Sequence, residues 1–358
     1  MKIIIAGGGT GGHIIPNIAI LESLKKQVKD LDVLYVGSKK GLEAELIPRE
    51  GYAFETISCG KLRRYFSWEN FLDVFRTMAG ICQSAWIIAQ FKPEVIFFKG
   101  GYVGFGMAIA GGLMRKKVII HESDLKMGLG NRLAARMADK ICVSFPETVE
   151  AWRGDSRVVL TGNPVRAGLA EGNAEKGWKF SGLKPGKKMI LIMGGSQGSK
   201  SVNNLIEKNL EDLLKDFQII HICGKGNLPE YYAKLSTTER ANYFACEYVG
   251  DELKDIYAVT DMMISRAGAN TLAEIDFLGK PAILIPLVEG SRGDQVENAE
   301  SFVKNHSAVV LRENQSEDFD LKKALKELLN KPERAIGKNQ AADKIAKIIM
   351  ELANRKNV

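Results

Sequence analysis

Short β-branched apolar runs alternate with longer segments of helical periodicity from one end of the chain to the other. The runs are Lys2-Ala6, Val33-Val36, Val95-Phe98, Val118-His121 and Ile141-Ser144, then Met189-Met193, Gln218-Ile222, Met262-Ser265 and Ala282-Pro286. Strands that read as continuous apolar runs are buried on both faces, and strands separated by helices form parallel sheets with crossover connections. Both halves open alike, with an apolar strand entering a glycine loop: Ile3-Ile4-Ile5-Ala6-Gly7-Gly8-Gly9-Thr10-Gly11-Gly12 and Ile190-Leu191-Ile192-Met193-Gly194-Gly195-Ser196-Gln197-Gly198. This weak internal repeat predicts an α/β chain of two Rossmann-like domains, each with a parallel sheet. The join is placed near Thr161-Gly162-Asn163-Pro164, and the stretch after it, Ala170 to Lys188, is polar, glycine-rich and without strand signal. The boundaries are therefore set at 1–163 and 164–336, with a last helical segment, 337–358, able to pack on either domain. Ligands of such sheets bind outside the carboxyl ends of the strands, so a cleft between the domains is the expected site.

Composition narrows the class. The chain has 358 residues, 45% hydrophobic and 26% charged, an ordinary globular balance with room for about two cores. Five cysteines, odd in number, scattered and never in a C-x-x-C pair, argue against a disulfide framework or a zinc site and for a reducing compartment. The uncharged stretch Gly100 to Met114 is too short and too rich in glycine for a membrane span. Met1 to Ala6 mimics the core of a signal peptide, but Gly7-Gly8-Gly9 interrupts it, and a strand of a cytoplasmic protein is the expectation. The net charge of +7 sits in the first half: residues 1–165 carry 22 Lys and Arg against 16 Asp and Glu. No helix-turn-helix, ribonucleoprotein or basic-zipper pattern accompanies it, so nucleic acid is not the expected partner; an anionic membrane surface or a phosphorylated substrate needs no such motif.

Gly7-x-Gly9-x-x-Gly12 matches the dinucleotide fingerprint in letters and lies between a strand and a helix. The second strand, however, ends Leu34-Tyr35-Val36-Gly37-Ser38 without the carboxylate that would bind a ribose, and no P-loop is present. What remains is general: glycines let main-chain N–H groups approach a phosphate, and the following helix adds its positive end. Two such loops suggest a diphosphate ligand, an acidic acceptor, or both.

The ordered motifs Gly8-Gly9-Thr10-Gly11-Gly12-His13-x-x-Pro16, Gly100-Gly101-Tyr102-Val103, His121-Glu122-Ser123-Asp124, Gly162-Asn163-Pro164-Val165-Arg166, Gly194-Gly195-Ser196-Gln197-Gly198, Ser265-Arg266-Ala267-Gly268-Ala269-x-Thr271-x-x-Glu274 and Asp294-Gln295-x-x-Asn298-Ala299 span nearly the whole chain. Together they resemble the family of peptidoglycan glycosyltransferases that move N-acetylglucosamine from UDP to an undecaprenyl-diphosphate-linked muramyl peptide. Asp124 stands where many members carry Asn, and Gly104 where Ser is common. The resemblance implies a GT-B fold and inversion at the anomeric carbon. It places the acceptor and the membrane on domain 1–163 and UDP-N-acetylglucosamine on domain 164–336, and it makes the last helix cross back. It implies no cofactor, and a peripheral location on the cytoplasmic side of the bacterial plasma membrane, with cell-wall synthesis proteins as further candidate partners. It also implies substrate contacts at Thr10, Gly11, Gly12, Asp124, Val249 and Ala269.

Glycosyl transfer needs a base for the acceptor hydroxyl, a neutraliser for departing UDP, and positioning of both substrates. His13, at the end of a glycine loop, is the candidate base, since an imidazole accepts a proton near neutral pH. Of the two D-x-D matches, Asp30-Leu31-Asp32 lies in a helix-to-strand link and Asp318-Phe319-Asp320 in a polar loop, so no protein-bound catalytic metal is expected. The diphosphate falls instead to Ser196, the amides around Gln197-Gly198, and Arg166, with Arg266 as a spare cation. Glu274 can accept from two vicinal ribose hydroxyls, and Asp294, Gln295 and Asn298 near a helix start suit sugar hydroxyls. On a helical wheel of Trp68 to Phe91, apolar residues from Trp68 through Phe71, Phe75 and Trp86 to Ile88 cover roughly 200°, about twice what a core-facing helix needs. Lys61, Arg63, Arg64, Tyr65 and Phe66 precede it, which suits an anionic membrane surface. The same fold serves UDP-N-acetylglucosamine epimerases and diacylglycerol glycosyltransferases, and a UDP-sugar sensor or a Rossmann oxidoreductase are further alternatives.

Overall fold

The computed structural model describes residues 1–354 except 10, 61–67, 167, 196–197, 289–292, 314–318, 332–334 and 338–339; of 68–70 it describes the backbone. The chain divides into two compact units, Met1–Arg166 with Asn339–Val358, and Ala167–Lys338.

In the first unit the elements run β1 (Lys2–Ala6), α1 (Gly11–Gln27), β2 (Asp32–Gly37), α2 (Glu43–Arg49), β3 (Ala53–Thr56), α3 (Trp68–Phe91), β4 (Val95–Phe98), α4 (Phe105–Leu113), β5 (Lys117–Glu122), α5 (Leu129–Ala134), β6 (Lys140–Val143), α6 (Pro146–Ala151) and β7 (Val158–Leu160). The second holds α7 (Ala174–Ser181), β8 (Lys188–Met193), α8 (Lys200–Asp216), β9 (Phe217–Ile222), α9 (Thr237–Arg240), β10 (Tyr243–Cys246), α10 (Leu253–Val259), β11 (Met262–Ser265), α11 (Ala269–Leu278), β12 (Ala282–Leu284), α12 (Asp294–Val303), β13 (Ala308–Val310) and α13 (Leu321–Leu329). A last helix, α14 (Ala341–Asn354), returns to the first unit.

Each unit is one parallel sheet, ordered β3-β2-β1-β4-β5-β6-β7 and β10-β9-β8-β11-β12-β13. The apolar runs become the central strands because they must be covered on both faces. Ile3, for instance, lies beside Val33 on one side and Val95 on the other and is wholly buried. Ile190 does the same in the second sheet, beside Met262 and Ile219. The order reverses beside the first strand of each unit, so both glycine loops leave the sheets at the switch between β1 and β4 and between β8 and β11.

The helix α14 completes one side of the first sheet. Ile345, Ala346, Ile349 and Leu352 are buried with Ile3, Ile5, Leu21 and Leu24, and Ser23 Oγ donates to Asp343 Oδ1 at 2.5 Å. Its regular apolar spacing is that of a helix using one face, and that face belongs to the first unit.

The helix α3 is turned the other way. Its first two-thirds bury Asp73, Gly80 and Ser84, whereas Phe71, Leu72, Val74, Phe75 and Met78 are 48–63% exposed and Trp86 is 64% exposed. The small residues face inward because backbones meet there: a Cβ on Gly80 would lie 2.1 Å from the Ser58 carbonyl oxygen, and one on Gly106 of α4 would lie 3.1 Å from the Gly80 carbonyl carbon. Ile88, expected on the outward arc, is instead fully buried, since the last turn of α3 descends into the core with Ile87. The neighbouring α4 ends in exposed Leu113, Met114 and Arg115, beside Lys116, Lys117 and Arg136.

Truncating Ile349 to alanine removes a fully buried side chain at the contact of α14 with α1. It should lower the unfolding free energy by about 2–5 kcal/mol, read as a shift of the denaturant midpoint at unchanged slope.

Candidate active site

In the first unit the carboxyl ends of β1, β4 and β5 bring together three motifs that are far apart in sequence. Gly7 to Gly9 rise from β1, and α1 begins at Gly11, so that His13 sits in the first turn. The glycines here make space for a carboxylate of the protein itself. Glu43, fully buried, accepts at Oε2 from the Gly9 N–H (2.9 Å) and at Oε1 from the N–H and Oγ of Ser38 (2.9 and 2.6 Å). A Cβ on Gly8 would lie 2.2 Å from the Glu43 carboxyl carbon. One N–H of the loop is thus committed internally, and Gly11 and Gly12 begin the helix beyond it. Thr10 lies outside the described residues.

His13 keeps part of its surface open, but its Nδ1 is buried and meets no partner among the described residues. The ring abuts the second glycine loop: Gly101 has φ +79°, and a Cβ there would lie 3.1 Å from Nε2. Burial pulls the His13 pKa down to about 4, the Lys99 ammonium pulls the same way, and a hydrogen bond with the Lys99 main chain and the charge of Glu43 oppose them. At neutral pH the imidazole is uncharged, the form that accepts a proton.

Lys99 carries the arrangement. It follows β4 directly, its N–H bonds the Ala6 carbonyl at 3.1 Å, and its side chain is 1% exposed. Its Nζ donates to Ser123 Oγ and to Asn163 Oδ1, the latter at 3.2 Å, tying the His121-Glu122-Ser123-Asp124 and Gly162-Asn163-Pro164 segments to one charge. Burial lowers its pKa, and Glu122 and Asp124 raise it. Glu122 is buried as well; its carboxylate accepts from the Asp124 and Gly128 N–H groups at 3.0 Å and from Asn131 Nδ2 at 2.8 Å, and burial pushes its pKa up. Its neighbour His121 pairs Nε2 with the Gly162 carbonyl at 3.0 Å and is held neutral by burial. Asp124 is half-buried, and Arg166, also half-buried, ends the first segment of this unit.

In the second unit Gly194, Gly195 and Gly198 shape the loop after β8, while Ser196 and Gln197 lie outside the described residues. Gly198 has φ +76°, and a Cβ there would meet the Cys223 carbonyl oxygen at 2.2 Å, so only glycine fits. Arg266, expected as a spare cation, is a structural one: it is 8% exposed, its Nη2 pairs with Glu313 Oε1 and Ser201 Oγ, both at 2.7 Å, and its Nη1 donates to the Ile285 carbonyl. Ala269 opens α11, and Val249 is buried at 9% exposure. Glu274, half-buried in α11, accepts at Oε2 from the Tyr257 hydroxyl at 2.7 Å. At the start of α12, Asp294 is half-buried, Gln295 Oε1 accepts from the Leu287 N–H at 3.0 Å, and Asn298 is fully buried. Of the aspartates in D-x-D spacing, Asp32 pairs with Lys2 at the start of β2 and Asp320 caps α13; Asp318 lies outside the described residues.

Glu43, Lys99 and Tyr257 were not singled out from the sequence. A signal existed for Lys99, a cation ending the apolar run Val95-Ile96-Phe97-Phe98 immediately before two glycines. Glu43 and Tyr257 occupy helices with ordinary periodicity and gave none.

Comparison with known proteins identifies the family of the chain. The N-terminal domain of glycosyltransferase family 28 matches residues 3–143 and its C-terminal domain residues 189–353. A Clostridium botulinum (strain Loch Maree / Type A3) protein named UDP-N-acetylglucosamine--N-acetylmuramyl-(pentapeptide) pyrophosphoryl-undecaprenol N-acetylglucosamine transferase is 46% identical over 325 residues, 90% of each chain. A Clostridium perfringens (strain SM101 / Type A) protein of the same name is 43% identical over 91% of this chain and 90% of its own. Among solved structures, Acinetobacter baumannii MurG superposes with a TM-score of 0.73 at 22% identity, covering 98% of this chain and 99% of that one. A UDP-GlcNAc 2-epimerase from Methanocaldococcus jannaschii gives 0.67 at 15% identity, covering 98% and 100%; both likenesses concern the fold.

The burial of His13 sets a measurable midpoint. In the ligand-free protein its imidazole should titrate near pH 4 rather than 6.5, followed by NMR of the ring. The folded pKa lies below the unfolded one, so the stability linked to this group is present above about pH 6.5 and is lost as the pH falls through about 4.

Proposed function

The chain belongs to glycosyltransferase family 28, among its N-acetylglucosamine transferases of peptidoglycan synthesis, and we propose from that membership how its own residues divide the work. The reaction is transfer of N-acetylglucosamine from UDP to the undecaprenyl-diphosphate-linked N-acetylmuramyl peptide. The observation that carries this is the 46% identity extending over 90% of both chains, across both sheets.

In this reading the first unit holds the acceptor and the second the UDP-sugar. His13 takes the proton of the acceptor hydroxyl as the new glycosidic bond forms at the anomeric carbon, and the bond to the UDP oxygen breaks from the opposite face, giving inversion. Its support is position, at the junction of two glycine loops, and an uncharged ring. A base with a pKa near 4 is a weak one, but bound diphosphate adds negative charge, which raises an imidazole pKa toward the working pH. Gly11, Gly12 and Asp124 border the same place, and Thr10 stands in that loop. On the donor side Glu274 accepts from the ribose hydroxyls and Asp294 from the sugar, beside Ala269 and Val249. Ser196, Gln197 and Arg166 are assigned the diphosphate. Gln295 and Asn298, one bonded to the Leu287 main chain and the other fully buried, contribute by shaping the start of α12.

The acceptor is a polyprenyl lipid, so a chain whose described helices include none long and apolar enough to cross a membrane must meet it at a surface. The outward apolar face of α3, together with exposed Leu113 and Met114 at the end of the adjoining α4 and the basic Arg115, Lys116 and Arg136 near them, supports insertion into an anionic bilayer surface on the cytoplasmic side. Phe71 and Phe75, edge to face at 5.1 Å, would lead it. The basic group 61–64 that precedes the helix lies outside the described residues.

Two experiments decide these points. With UDP-N-acetylglucosamine and the lipid-linked muramyl acceptor, the chain should release UDP and form the disaccharide, and His13→Ala should lower kcat by about 10² to 10⁴ with little change in UDP affinity; a kcat within a few-fold of wild type removes the base role. In sedimentation with anionic vesicles, Phe71→Ser/Phe75→Ser should bind several-fold more weakly than wild type and binding should fall with salt; equal binding by the folded variant places docking elsewhere.

A further inference from the structure

The second unit contains a buried phenol whose hydroxyl reaches a carboxylate assigned to the donor. Tyr257 projects from α10, which precedes β11, and Glu274 from α11, which follows it. The tyrosine is 1% exposed, and its hydroxyl donates to Glu274 Oε2 at 2.7 Å. Packing does not require that oxygen, since phenylalanine would fill almost the same volume. A hydroxyl carried into the interior needs a partner, and here the partner is a half-buried carboxylate. Burial raises the phenol far above its ordinary range, as does the adjacent carboxylate, so the hydroxyl stays protonated and can only act toward Glu274 as a donor.

We propose that Tyr257 is a positioning residue for the donor: its hydroxyl fixes the Glu274 carboxylate in the orientation that accepts from both ribose hydroxyls, and it thereby sets the preference for a ribonucleotide over a 2′-deoxyribonucleotide. The inference rests on Glu274 as the ribose ligand. An ionised carboxylate has about four acceptor directions, and the phenol takes one on a single oxygen. A glutamate on a helix surface samples several rotamers and loses that freedom on binding; one held in advance does not. A fixed carboxylate also discriminates more sharply, because a donor lacking one hydroxyl cannot be met by a shift of the side chain without breaking the tyrosine bond.

The test is calorimetric titration of the full chain with UDP and with 2′-deoxy-UDP, for wild type, Tyr257→Phe, Glu274→Gln and the double variant, together with steady-state kinetics. Tyr257→Phe should weaken UDP by roughly 3- to 10-fold, raise the KM for UDP-N-acetylglucosamine with kcat within about twofold, and shrink the preference for UDP over 2′-deoxy-UDP. In the Glu274→Gln background the same change should have no further effect. Should Tyr257→Phe fail to fold, Tyr257→Met, which also lacks the hydroxyl and leaves Glu274 intact, takes its place with the same expected outcomes. If Glu274→Gln leaves UDP affinity unchanged, the ribose assignment falls and this proposal with it. If Glu274→Gln weakens UDP while Tyr257→Phe does not, or the two effects multiply independently, the ribose assignment stands and the positioning role is overturned. An equal loss for UDP and 2′-deoxy-UDP in Tyr257→Phe also overturns it.

Discussion

A lysine ammonium taken out of water must be surrounded by oxygen, and the first unit is organised around meeting that demand. Lys99 continues the central strand β4 past the last ladder of apolar side chains, at the level where the loops begin, and no solvent reaches it. Its partners come from the ends of β5 and β7, which fixes Ser123 and Asn163 relative to the Gly100-Gly101 turn. The same positive charge faces His13, and together with burial it keeps the imidazole neutral. Removing one member of such a buried set leaves others uncompensated, so its parts stand or fall together.

A second buried charge does similar service on the other side of β1. The Glu43 carboxylate fills the hollow that glycines at 8, 37 and 41 leave open and bonds the Gly9 main chain. A loop that by letter resembles a dinucleotide site is therefore braced from behind by the protein's own anion. Glycine is required there for the close approach of that carboxylate, which a reading in terms of ligand phosphate alone does not capture. In the second unit, Arg266 and Glu313 form a similar brace, joining the end of β11 and the stretch after β13 to Ser201 at the start of α8.

The packing of α3 decides which of its residues reach the surface. A helix in a soluble core turns its large apolar residues inward, but here the backbone of residues 58–60 and of α4 comes so close that only small side chains fit, and the bulky ones are turned to the outside. Close packing on one face thus creates the apolar surface on the other, the surface proposed above to dock on a membrane.

The sequence by itself determined the α/β class, the two parallel sheets and the family. Central strands must be apolar on both faces, which makes them visible as runs, and the ordered motifs are specific. The four strands it did not reveal, β3, β7, β10 and β13, are the edges of the two sheets, where one flank is open and the run need not be continuous: Ala53-Phe54-Glu55-Thr56 keeps only part of its surface covered. His13 and Glu274 could be nominated from motif position, but not their states. That His13 is neutral by burial beside a lysine, that Arg266 is spent on Glu313, that Ile88 turns into the core and that Tyr257 reaches Glu274 were decided by tertiary structure alone. Hydrogen bonds and desolvation depend on distances between residues 17 to 86 positions apart, and periodicity along a chain carries no record of those distances.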